Sequence, residues 1–458
     1  MSDKYSRLFA DYAHQIAFQD LPSRTVHEVK RRILDSLGVA IAAFKEDAPK
    51  AARSYAYAFP TQGGATIWGT PFKTTPEIAA LANGLLVRYL DFNDTYLSKE
   101  PLHPSDMIPG LMALAEWRGS PPANLITAIA IAYEVGISLC DFASLRDHGW
   151  DHVNYIAVGT ACGASKLLGL TPAETESSIS IATIPHAAMR QTRVGELSMW
   201  KGAAAANASR NALFASLLVS RGMTGPSQPF AGEMGFFNQL LAGESLNEDA
   251  LRPLQEKAPP TRVSDTYIKY WPVEYHAQSG VQAALLLHSE LEDSSQIQDI
   301  GIDTCKASYD IIAKDPEKWA PQTRETADHS LQYIVAVALL DGRLTQASFS
   351  RERIMAPQVG ELLRRTSVRE DAELTKAYPQ SVPNRITLHT PDGHKYMREV
   401  LCPKGHARNP LSDEELVSKF RTNVEAWLTP KKVDRLVELV WHLEESPNLS
   451  ELLETMYI

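Results

Sequence analysis

In the stretch RRILDSLGVAIAAF, residues 31–44, apolar side chains return at Ile33, Leu37, Ile41 and Phe44. Spacings of three and four put them on one face of an α-helix. The same period dominates the chain to about residue 250, and a long run of amphipathic helices can bury its faces only against other helices. Helix starts carry their own marks: Pro22-Ser23 precedes one segment, and Thr171-Pro172 precedes AETESSISIATI. In SKLLGLTPAE one helix is expected to end at Gly169 and the next to begin at Thr171. The most apolar window, LITAIAIAYEVGISLC, is sixteen residues long and contains Glu134. It falls short of the roughly 20 apolar residues that cross a bilayer, and reads as a core helix.

After about residue 262 the texture changes. IGIDTC, Ile300 to Cys305, alternates as a half-buried strand does, and RITLHTPDGHKYMREVL holds two alternating runs joined by Pro391-Asp392-Gly393, a hairpin signature. A helical stretch, HSLQYIVAVALLDG, lies between them, and helical patterning returns in SDEELVSKFRTNVEAWL and VDRLVELVWHLEES. The expected fold is therefore mostly α. A large helical domain, residues 1–262 and 406–458, carries a smaller inserted α+β lid, residues 263–405.

The formal net charge of -10 sets a field that repels nucleic acid and anionic lipid. An anionic ligand must then be met by a local group of cations, because a distant field is screened. The start, MSDKYSRLFADYAHQIAF, lacks the apolar run of a signal peptide. Cys140, Cys162, Cys305 and Cys402 form no C-x-x-C pair, which argues against zinc or an iron-sulfur cluster and for reduced thiols in the cytoplasm.

Five stretches gather groups capable of chemistry. DFNDTYLSKEPLHPSD places Asp91, Asn93, Asp94 and His103 in one loop, since Pro101 and Pro104 forbid a continuous helix. Such a loop can hold a general base and its orienting partner; alternatively Asp94 or Ser105 caps a helix and the rest is solvated surface. RDHGWDHVNYIAVGTACGASK sets His152 near the start of a helix, where the dipole favours a neutral imidazole or a bound anion. A structural histidine fits there as well, and His148 and His152 lack a third ligand at metal spacing. Arg190, Arg193 and Lys201 fall within a dozen residues, either as an anion site or as ordinary surface cations. DTYIKYWPVEYHAQSGVQAALLL brings Lys269, Glu274, Tyr275, His276 and Gln278 to the expected domain junction, a preferred place for ligand clefts. Finally, His329, Gln332 and Tyr333 open a buried helix, for substrate contact or for capping.

In order and separation, LDFNDT with LHPSD, GWDHVNYIAVGTACGASKLLGL, the WKG segment, YWPVEYHAQSGVQAA and HSLQYIVAVALLDG resemble the MmgE/PrpD family over nearly the whole chain. That family includes 2-methylcitrate dehydratases, cis-aconitate decarboxylases and iminodisuccinate epimerases. The resemblance implies a helical domain with an α+β lid, a cleft between them, a homodimer, and catalysis without metal or cofactor. It implies catalytic roles for Asp91, His103, His152, Lys201, Lys269 and Tyr333, with His103 oriented by Asp91. Asn93, Asp94, Arg190, Arg193, Tyr275, His276 and Gln278 are the expected substrate contacts. The VEYHAQSG run is closer to the dehydratases, so the expected activity is dehydration of 2-methylcitrate or a close tricarboxylate. Decarboxylation and epimerisation are the nearest rivals, and a non-catalytic carboxylate-binding dimer is the rival of another class. The SKEPL segment before His103 departs from the dehydratase pattern and leaves the exact substrate open.

Overall fold

The computed structural model describes residues 3–291 and 296–458. Nine main helices build the first part: α1 (Lys4–Gln15), α2 (Ser23–Ala42), α3 (Asp47–Tyr57), α4 (Pro76–Arg88), α5 (Ile108–Arg118), α6 (Pro122–Phe142), α7 (Val153–Leu168), α8 (Pro172–Thr183) and α9 (Trp200–Val219). The α7–α8 junction follows its sequence marks. Gly169 closes α7 at φ 69°, where a side chain would be strained, and Thr171 opens α8 with a capping box to Glu174.

The helix α6 exceeds its expected window, running 21 residues from Pro122. It is long and apolar enough to cross a membrane, yet 94% of its most apolar window is buried inside the fold. Glu134, the charge within it, accepts the backbone N–H groups of Thr261 and Arg262 at 2.8 and 2.9 Å. A buried carboxylate needs such donors.

One close approach positions the site. Helices α4 and α9 pack antiparallel with glycine at the contact: a Cβ on Gly84 would stand 2.7 Å from the Ala206 Cβ, and one on Gly202 would stand 3.1 Å from the Tyr89 ring. The small residues around Lys201 thus let the first turn of α9 sit beside the last turn of α4.

There are two large apolar cores. The first joins the helices above to side chains from Leu411 to Met456, so that the late helices Asp413–Val424 and Pro430–Trp441 lie against α2. The second runs from Trp271 to Val400. It packs helices Gln278–Glu290 and Leu331–Asp341 on a sheet of β3 (Asp299–Thr304), β4 (Thr366–Glu370), β5 (Asn384–His389) and β6 (Lys395–Val400). A two-residue pair, β1 (Ala65–Thr66) with β2 (Lys73–Thr74), precedes it in the chain. The larger sheet has the order β4-β3-β5-β6, parallel only between β3 and β4. β5 and β6 form the expected hairpin, with Gly393 at φ 88° in its turn. β4, TSVRE, is an edge strand with mostly exposed or half-exposed side chains and shows no apolar alternation. All four cysteines are unpaired.

Candidate active site

The loop after α4 is buried, which rules out the solvated-surface alternative. Asp91 adopts φ 50°, a left-handed conformation that aspartate tolerates better than most residues, and its N–H donates to the Arg88 carbonyl at 3.1 Å. Downstream, Thr95 pairs with Tyr267 and Tyr96 with Leu102 through the backbone. Asn93 donates to Ser105 Oγ and Asp106 Oδ1, both at 2.9 Å. Asp94 accepts from Ser105 N and from the Tyr133 hydroxyl, again at 2.9 Å. Asn93 and Asp94 therefore fasten the loop to the turn before α5 and to α6 and do not line the cleft, contrary to the expected substrate contact.

Asp91 is the hub. Its Oδ1 accepts from Arg88 Nη1 at 2.7 Å and from Lys269 Nζ, which also donates to the Asp91 carbonyl at 2.9 Å. Its Oδ2 accepts from Lys201 Nζ at 2.9 Å and faces His329 Nε2 at 3.2 Å. His329 Nδ1 lies 2.5 Å from Asp328 Oδ1, so both its ring nitrogens face carboxylates. Burial alone would raise the Asp91 pKa; Arg88, Lys201 and Lys269 outweigh it and hold the group well below the usual carboxylate range. Burial brings Lys201 down to about 8 in spite of Asp91. A third lysine, Lys419, pins this floor from the late helix: its Nζ donates to Asp35 Oδ1 (2.6 Å), the Phe92 carbonyl (3.1 Å) and the Lys269 carbonyl (2.6 Å).

The expected orientation of His103 by Asp91 is not what the structure holds. His103 Nδ1 donates to the Asp94 carbonyl at 2.8 Å, and Nε2 accepts from Arg88 Nη2 at 3.0 Å, so Asp91 makes no hydrogen bond to it and is linked to it through Arg88. Burial, then Arg88 and Lys269, push its pKa well below 6.5. His152 stands at the start of α7, its ring 5.7 Å from that of His103. Its Nδ1 is 3.5 Å from Asp151 Oδ1, and Arg193 Nε holds both oxygens of Asp151 at 3.0 Å. The His152 Nε2 is buried with no hydrogen-bond partner among the described residues. Burial and Arg193 keep this imidazole neutral at neutral pH. On the opposite side, His276 Nδ1 meets Glu274 Oε1 at 2.9 Å; burial opposes ionisation of Glu274, but His276 draws its pKa down to about 2.

These groups surround a cleft of about 540 Å³. Asp91, His103, His152, Arg190, Arg193, Lys201 and His276 line it, as expected. Lys269 sits behind Asp91 rather than in the wall. Tyr333 is misplaced by the sequence reading: it lies in the second core and its hydroxyl donates to the Ser348 carbonyl at 2.7 Å. The turn before its helix presents His329 to the cleft instead. Tyr275 stacks on Tyr267 at 5.0 Å, and Gln278 binds the Trp271 backbone, so neither lines the cleft. Sequence reasoning missed Arg88, Arg146, Lys318 and Glu100, all in the wall. Arg88 had a signal, an arginine one turn before Asp91 in the apolar run GLLVRYL. Glu100 accepts the N–H groups of Leu145 and Arg146 at 2.7 and 2.9 Å; burial raises it to about 7. Among the described residues, no three His, Cys, Asp or Glu side chains are grouped to hold a metal ion.

Cations around one fixed carboxylate, beside a neutral histidine with a free nitrogen, can bind a polyanion and move a proton next to a carboxylate. Several known proteins are similar to this chain in sequence. A 2-methylcitrate dehydratase of Escherichia coli (strain K12) is 28% identical over 464 aligned positions, covering 95% of this chain and 94% of its own. A 2-methylcitrate dehydratase of Cupriavidus necator is 32% identical over 398 positions, covering 81% and 79%. An alkylcitrate dehydratase of a fungal species (strain ATCC 74256) is 28% identical over 490 positions, covering 99% and 94%. The family profile for the MmgE/PrpD N-terminal domain matches residues 7–249, and that for the MmgE/PrpD C-terminal domain matches residues 271–445. With both halves matched, the chain belongs to the MmgE/PrpD family.

Proposed function

We propose that this protein is a hydro-lyase that dehydrates 2-methylcitrate, or a close 2-hydroxy tricarboxylate, with its own side chains and no cofactor. The observation that carries the reading is the Asp91-centred group of Arg88, Lys201, Lys269 and His329 beside the unpartnered Nε2 of His152. Its support in sequence is the run of dehydratases among the relatives.

Dehydration breaks a C–H bond beside a carboxylate and a C–O bond on the neighbouring carbon. The His152 Nε2 takes the proton, its ring set by Asp151 and Arg193. Negative charge then spreads into the adjacent carboxylate, and fixed cations aimed at it lower the barrier because they need no reorganisation. Lys201, at about 8, is a stronger acid than an ordinary lysine and protonates the departing hydroxide, which leaves as water. His103 donates no proton: its Nε2 already accepts from Arg88, so its part is to hold that guanidinium.

The segment 263–405 acts in this reading as a lid, supported by its separate core and its gift of His276 and His329 to the cleft. A homodimer fits the exposed apolar side chains Met189, Val194, Met199 and Trp200 near the cleft, which a second copy would cover. The unpaired cysteines fit a reducing cytoplasm.

Incubation with 2-methylcitrate, citrate and cis-aconitate tests the activity. Dehydration produces an ultraviolet-absorbing alkene, decarboxylation releases carbon dioxide, and a binding protein does neither. His152→Ala is expected to abolish alkene formation while the fold persists; near-normal turnover would remove His152 as the base.

A further inference from the structure

Among the described residues five lysines are buried: Lys30, Lys201, Lys269, Lys318 and Lys419. Four of them face a carboxylate at 2.9 Å or less: Glu444 for Lys30, Asp91 for Lys201 and Lys269, and Asp35 for Lys419. Lys318 is the exception. It is 6% exposed and lines the cleft, yet no carboxylate oxygen among the described residues lies within 4.0 Å of its Nζ. Two of the nearby acids are otherwise engaged, Asp328 with His329 and Glu274 with His276, and Asp315 and Glu317 act only from longer range. The stem is buried while the ammonium opens into the cleft, and so large a loss of water without a counter-charge is costly. Burial accordingly lowers the Lys318 pKa, against the pull of Asp328, Asp315, Glu317 and Glu274 at longer range.

From this orphaned cation we infer that Lys318 is a substrate-binding residue whose missing counter-ion is one carboxylate of the ligand. The inference rests on the tricarboxylate reading of the cleft and deepens it by naming where a carboxylate docks. The backbone makes the assignment more specific. Lys318 lies in the short turn Pro316–Trp319, and its carbonyl accepts from Ser330 Oγ. Ser330 caps the helix Leu331–Asp341 and directly follows His329, which faces Asp91. A carboxylate seated on Lys318 is therefore held at a fixed offset from the His329–Asp91 pair. It also ties the α+β part to the helical part through the ligand, since Asp91 and His329 come from different cores.

The test is calorimetric titration and thermal melting of the full chain, wild type, Lys318→Met and Lys318→Arg. The probes are citrate and propane-1,2,3-tricarboxylate, the second of which lacks the reacting hydroxyl. Lys318→Met is expected to weaken both ligands by about 10- to 100-fold. Its ligand-free melting temperature should hold or rise, because a largely desolvated charge without a counter-ion is gone, and Lys318→Arg should recover most of the affinity. A structural lysine predicts the opposite pair of results, a lower melting temperature and unchanged binding. Unchanged affinity in Lys318→Met overturns the assignment whatever the melting temperature does. A wild type that binds neither acid overturns this inference together with the tricarboxylate reading. A wild type that binds both through Lys318 but dehydrates no hydroxy acid supports the docking role and refutes only the dehydratase.

Discussion

Asp91→Asn is the sharpest perturbation of the site. An asparagine keeps the shape but only one acceptor; the other position becomes an NH₂ group. If its oxygen stays with Arg88 and Lys269, the NH₂ faces the donors Lys201 and His329, and two charge-assisted contacts are lost. At roughly 1.5–3 kcal/mol each this is about 3–6 kcal/mol, in line with the roughly 3–5 kcal/mol for leaving a buried charge unpaired. At roughly 1 °C per kcal/mol for a chain of this size, the melting temperature should drop by about 3–6 °C near neutral pH. The effect has a pH signature. Burial holds the folded Lys201 at about 8, below its ordinary 10.5, so its titration by itself makes the wild type more stable as pH rises from 8 to 10.5; the attraction to Asp91, the part the variant lacks, acts only below about 8, where the lysine is charged. Without Asp91, the contacting carboxylate that raises it, Lys201 falls further and is neutral across the range. The stability gap between wild type and variant should then be about 2 kcal/mol larger at pH 6.5 than at pH 9.5, from roughly 1.4 kcal/mol per pH unit below 8. Melting curves at the two pH values, with turnover measured in parallel, decide it. A drop under about 1 °C, or equal drops at both pH values, refutes Asp91 as the counter-ion of the cluster.

Two further outcomes follow from the geometry. Glu100 has its folded pKa raised from 4.5 to about 7, so its protonated form stabilises the fold below pH 4.5 and that contribution is lost as pH rises through 7. Glu100→Gln should remove a pH dependence of roughly 3 kcal/mol between those limits, and denaturant titrations showing the same slope in both proteins would contradict this. Tyr333→Phe should cost about 1 kcal/mol through the lost bond to the Ser348 carbonyl, yet leave turnover within about threefold; a hundredfold loss would put the tyrosine back in the chemistry.

Much of this was legible in the chain because local chemistry and global fold agree. Thr171, Pro172 and Gly169 mark their helix ends by satisfying or omitting particular backbone groups, and the β5–β6 hairpin shows in its alternation. Illegible features were those decided by tertiary contact. β4 is an edge strand whose exposed side chains carry no period. Arg88 reads as an ordinary last-turn cation until Asp91 turns back on it. His329 and Tyr333 stand four residues apart, but a helix starts between them, so only the first reaches the cleft. Asn93 and Asp94 look like ligand groups because binding a substrate and binding one's own backbone require the same atoms.

The three bonds of Lys419 have a consequence for synthesis. Because this side chain arrives from the late helix and holds the carbonyls of Phe92 and Lys269, a nascent chain that has emerged only through residue 405 lacks the tether joining these two segments of the cleft floor. Activity during translation should therefore appear only after the helix Asp413–Val424 clears the ribosome, and intermediates stalled before it should be inert however well their early helices have packed.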